Sequence, residues 1–91
     1  MIVNLINRIT DETSGEVSYT LCGKTQIENF IERNRVKQLG DGQSLDTNGT
    51  FRSYEDLKKG QFIEFDEIKY EIVDSQKTSA FIKLYTIRRV L

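Results

Sequence analysis

The chain has 91 residues, of which 37% are hydrophobic and 30% charged, enough for one hydrophobic core and too few for a second. Thirteen basic residues stand against fourteen acidic ones, and the halves divided at Thr50 carry −2 and +1, which excludes a basic patch on the scale that non-specific DNA binding needs. Histidine is absent and Cys22 is the one cysteine, so Ser-His and Cys-His nucleophile pairs, imidazole metal ligands, a zinc site and an internal disulfide are all excluded.

From the N-terminus, Met1 to Ile9 is short and carries Asn4, Asn7 and Arg8, unlike a signal peptide or a membrane span. With a single cysteine, that points to a reducing cytosol. Leu5 to Thr10 and Glu16 to Cys22 are expected as strands joined by the polar turn Asp11 to Gly15, with Cys22 packed as a small hydrophobe. Lys24 to Val36 is ambiguous. Ile27, Phe30, Ile31 and Asn34 mark one helical face with Glu28 and Glu32 on another, while the strand pattern is weaker. Periodicity alone favours a helix there.

Lys37 to Thr50 contains Gly40, Gly42 and Gly49 among polar residues, and only Leu39 and Leu45 can anchor it. It is expected as a long Gly-rich loop, with Asn48-Gly49 as a turn, mobile in a monomer and ordered on assembly. Ser53 to Gly60 has the spacing of one capped helical turn, with Ser53 and Asp56 at its start and Gly60 stopping it. A three-stranded meander follows: Gln61 to Phe65, a two-residue Asp66-Glu67 turn, Ile68 to Val73, a polar turn from Asp74 to Ser79, and Ala80 to Leu91. The last strand has Ile82 and Leu84 on one face and Phe81, Tyr85 and Ile87 on the other, which suggests cover on both sides. The expected core is Ile63, Phe65, Ile68, Tyr70, Ile72, Ile82 and Leu84.

No constellation carries chemistry. Gly40-Asp41-Gly42 lacks the Lys-Ser/Thr of a phosphate loop, and Asp46 to Gly49 lacks the ligand spacing of a calcium loop. Glu64, Asp66, Glu67, Glu71 and Asp74 surround one hairpin and alternate with apolar residues beside Lys69, the pattern of a solvated strand face. Tyr19, Tyr54, Tyr70 and Tyr85 with five phenylalanines lack the basic groove that base stacking normally accompanies. The fold class expected is mainly β: a small antiparallel β-barrel or sandwich of about six strands, one domain over 1–91, with a long loop at 37–50 and at most one or two helical turns. The alternative is α+β with one helix at 24–36.

The order of elements resembles the small β-barrel head-tail connector proteins of tailed bacteriophages, the head-completion, head-closure and minor capsid group. The matching residues are Arg8-Ile9-Thr10, the turn with Gly15, Ile27 to Glu32, the long polar loop, and above all Leu57-Lys58-Lys59-Gly60-Gln61-Phe62-Ile63-Glu64-Phe65 with its continuation to Asp74. Glu67 stands where that family's turn carries glycine. The resemblance implies a non-enzymatic virion protein without cofactor, metal or membrane contact, made in the host cytoplasm and placed at the head-tail interface. It implies a homo-oligomeric ring, twelve-fold, between the portal and the tail or neighbouring connectors, with incidental contact to packaged DNA. It also turns Lys24 to Val36 from helix toward strand. Interface residues expected on this basis are Leu39, Gly40, Asp41, Gly42 and Leu45 in the loop, and Phe81, Tyr85, Ile87, Arg88 and Arg89 in the last strand. The size, neutral charge and lack of catalytic groups fit equally a small phage or mobile-element protein that binds and inhibits a host protein.

Overall fold

A computed structural model describes residues 1–40 and 42–90, the side chains of Lys37 and Leu39 excepted. Among them seven strands form one antiparallel sheet: β1 (Ile2–Thr10), β2 (Val17–Gln26), β3 (Glu28–Gly40), β4 (Gln43–Ser53), β5 (Phe62–Phe65), β6 (Ile68–Lys77) and β7 (Lys83–Arg89). The spatial order is β2-β1-β5-β6-β7-β4-β3. The chain is mainly β, as its alternation predicts. The sheet is not closed into a barrel: among the described residues no ladder joins its end strands β2 and β3. No described residue is helical. The helix at 24–36 loses to pairing with β1 and β4, which satisfies the same backbone groups across strands.

Ile27 is the corner between the two edge strands. It is fully buried and exchanges two backbone hydrogen bonds with Met1, one in each direction. Ser53 Oγ donates to the Gln26 carbonyl at 2.7 Å. Asn29 then takes φ +52°, a left-handed conformation that asparagine tolerates. Phe30 follows it and sets its ring 5.3 Å from Phe65 and 5.7 Å from Tyr70.

The core draws on strands distant in the order, so the sheet must curl around it. Ile63, Tyr70 and Ile72 are buried as expected, with Phe65 and Ile68 partly buried against them. Val3, Phe51 and Leu57 complete one side. The last strand corrects the reading: Tyr85 and Ile87 are fully buried, whereas Ile82 and Leu84 are only half-buried. β7 pairs with β4 on one side and β6 on the other, and that double pairing fixes which face turns inward.

Four further expectations change. The described residues of 37–50 are not a long loop: 37–40 end β3 and 43–50 make most of β4, and these strands pair from Glu28↔Arg52 out to Gly40↔Gln43. Asn48-Gly49 accordingly lies within β4 and makes no turn. A Cβ at Gly49 would stand 2.6 Å from the Ile31 carbonyl oxygen, so glycine permits the close strand approach. Asp74 to Lys77 continue β6, leaving residues 78–82 as the turn. The expected helical turn at Ser53 to Gly60 is absent: Ser53 ends β4, and residues 54–60 form an irregular connection. Ser53 Oγ accepts from the Glu55 N–H, and Gly60 takes φ +92°.

The remaining turns follow local chemistry. Asp11 Oδ1 accepts from the Thr13 N–H at 2.8 Å and the Ser14 N–H at 3.3 Å, and Gly15 adopts φ +74°. Asp66 and Glu67 both adopt positive φ, +56° and +65°, the pattern of a type I′ hairpin turn despite the missing glycine.

Candidate assembly surface

The expected interface residues do not form one surface. Gly40 and Gly42, with φ +79° and +74°, make the exposed tip of the β3–β4 ribbon. Asp41 lies outside the described residues, as does the side chain of Leu39. Leu45 is half-buried and lines a shallow groove with Gly60, Val73 and Arg88. Phe81 lies beyond the other end of β4, where Ser53 pairs with Lys83. β4 runs the length between, roughly 33 Å at strand rise.

Tyr85 and Ile87 are structural and face no partner surface. The Tyr85 ring stacks on Phe51 at 5.1 Å with 24° between planes. Its hydroxyl donates to the Glu55 carbonyl at 2.8 Å and accepts from the Leu57 N–H at 2.9 Å. One side chain thereby ties down the irregular connection and seats Leu57 in the core. Periodicity shows an aromatic on a strand but not the distant backbone groups it serves.

Arg88 and Arg89 are exposed and engaged within the chain. Arg88 pairs with Glu71, and Arg89 with Glu32 at 3.1 Å, while the Arg89 N–H donates to Asn48 Oδ1 at 2.6 Å. Asn48 Nδ2 donates in turn to Asn34 Oδ1 at 3.0 Å. These contacts hold the root of the ribbon against the end of β7. Glu64 of the hairpin has a structural partner as well: it pairs with Lys69 at 3.2 Å, and the Lys69 ammonium sits 5.4 Å from the Tyr19 ring centroid. Tyr19 packs edge-on against Phe62 at 5.7 Å, which buries a phenylalanine on the outer face.

Sequence reasoning missed the exposed apolar residues of the two edge strands. Leu21 on β2 is 63% exposed, and on β3 Ile31 and Val36 are 50% and 59% exposed. Cys22, expected in the core, is exposed too, because the β1–β2 register skips it between Leu5↔Gly23 and Ile6↔Leu21. At the far end of β4, Phe81 is 79% exposed beside a groove of about 420 Å³ that Tyr54, Asp56, Lys77 and Lys83 also line. Asp56 is held below the ordinary carboxylate range by its hydrogen bond from Lys83 and then by that ammonium's charge. Lys83 is raised by the same hydrogen bond. These are exposed surfaces made of strand edges and apolar side chains. No family model matches the chain, and no curated protein is significantly similar to it.

Proposed function

We propose that this protein is a non-enzymatic assembly subunit, a head-tail connector or head-completion protein that forms a ring between portal and tail in a tailed phage virion. The observation that carries the reading is the β3–β4 ribbon. It extends past the end of β7 and exposes Ile31 and Val36 on an edge strand. A small β domain with an exposed edge of that length is suited to pairing with another chain. In this reading the ribbon takes the part assigned above to a loop, and it meets its partner already formed. Supporting it is the block from Leu57 to Asp74, whose residues make the β5–β6 hairpin on which the resemblance chiefly rests.

Expression beside the products of neighbouring genes, followed by affinity capture, tests the proposal. The expected result is co-purification with a portal or tail component and ring-shaped particles in negative-stain micrographs. Stoichiometric capture of one host protein, without self-association, would overturn it in favour of a host-directed binding protein.

A further inference from the structure

The sheet has two free edges, and they differ in character. β2 presents ten residues with Val17 and Leu21 exposed, and β3 presents thirteen with Ile31 and Val36 exposed. Beyond the start of β2 the hairpin tip carries Asp11, Glu12 and Glu16, three acids and no base. The outer half of β3 carries Arg33, Arg35 and Lys37, three bases and no acid between 33 and 40. Resting on the ring proposed above, we infer that β2 of one copy pairs antiparallel with β3 of the next, so that the sheet continues from subunit to subunit.

Charge selects this arrangement among the possible edge pairings. Antiparallel pairing runs β2 back along β3, and a register that sets Val17 near Arg33 lays the acidic tip along the basic segment. Parallel pairing sets the same tip beside Glu28 and Glu32, acid against acid. Pairing β3 with a second β3 about the middle of the strand opposes Arg33 and Arg35 to their own copies. Charges of one sign on an edge strand deter indiscriminate pairing, and a matching set of the opposite sign on a different edge restores one partner. The contact joins two different edges. It is therefore heterologous, and it propagates to a closed ring when the rotation closes. Leu21, Val36 and Ile31 supply apolar area along the seam.

The test uses charge exchange on the whole chain. Asp11 is left in place, because its carboxylate accepts the turn N–H groups of Thr13 and Ser14. Glu12→Lys with Glu16→Lys makes the tip net positive, and Arg33→Glu with Arg35→Glu makes the basic segment net negative. Assembly is followed by analytical ultracentrifugation and native mass spectrometry over a concentration series, with circular dichroism to establish folding. Each pair of reversals alone is expected to raise the half-assembly concentration by about tenfold or more, since like charges then face each other. A one-to-one mixture of the two variants, and a chain carrying all four changes, are expected to regain assembly, which a folding defect cannot do. Rings that form equally well in every variant would overturn the edge pairing and leave the ring itself standing. Association that stops at a dimer would overturn the heterologous contact. A wild-type chain that stays monomeric at every concentration would overturn the ring reading and this inference with it.

Discussion

Tyr85 is the residue on which the irregular part of the fold depends. Its hydroxyl is buried, and both of its hydrogen bonds go to backbone groups of the 54–60 connection. Tyr85→Phe keeps the ring stack on Phe51 but removes the hydroxyl donor to the Glu55 carbonyl and leaves the Leu57 N–H only the Glu55 carbonyl at 3.2 Å as acceptor. The expected loss in urea melts is about 1–3 kcal/mol, the net contribution of the two hydrogen bonds removed. Glu67 is the opposite case, a residue less suited to its place than its replacement. It holds φ +65° in a type I′ turn where glycine adopts that conformation without penalty. Glu67→Gly is therefore expected to raise stability by roughly 1 kcal/mol, less some loss from the more flexible unfolded chain. An unchanged or lower melting midpoint would show that the Glu67 side chain contributes contacts that outweigh the strain.

Stability is expected to be distributed unevenly among the elements. β4, β6 and β7 carry Phe51, Ile72, Tyr85 and Ile87 at full burial, and each is paired on both sides. β2 and β3 are paired on one side each. Hydrogen exchange should therefore be slowest at Phe51, Ile72 and Ile87, and fast at those amides of β2 and β3 that face away from β1 and β4. In assembled material the fast β3 amides should become protected; protection already complete in the monomer would mean that the edge is covered from within. The Asp56–Lys83 pair, at the other end of β4, gives a pH signature. Asp56 is depressed in the folded state, so its contribution is present above its unfolded pKa and lost as pH falls through the lower folded value. Lys83 is raised, so its share is present below the unfolded lysine pKa and lost as pH rises through the folded one. Both groups lie at the surface, and the effect is correspondingly small. Asp56→Asn should lower the melting temperature slightly at neutral pH, and the difference from wild type should vanish in acid below the folded pKa of Asp56.

The whole molecule is extended for its size. Its radius of gyration is 13.8 Å, against about 12 Å for a close-packed domain of this length. Its extents of 43 × 35 × 21 Å describe a flat body lengthened by hairpins. Such a shape leaves much edge for contact between copies, and the charges nearest the proposed contact have opposite signs. Assembly is therefore expected to weaken as salt rises, because exposed charges are screened beyond about 8 Å at physiological ionic strength. An assembly midpoint independent of salt would place the interface on apolar surfaces such as that around Phe81.

The sequence by itself determined that the chain is mainly β, and it located the hairpins whose signals are local. Ile68, Tyr70 and Ile72 alternate, Asp11 and Gly15 mark a turn, and two residues separate β5 from β6, so neighbouring strands could be read from short windows. Period-two alternation says which residues share a face but not which face turns inward. That choice at β7 fell to its pairing with both β4 and β6, which buried Tyr85 and Ile87 and left Phe81 exposed. The 37–50 segment was illegible for a related reason. Of the inward positions Thr47, Gly49, Phe51 and Ser53 on β4, only Phe51 is apolar. Such a strand is specified by its partners across the sheet, Ile31 and Glu32 on one side and Tyr85 and Ile87 on the other, and only the tertiary structure brings those residues together.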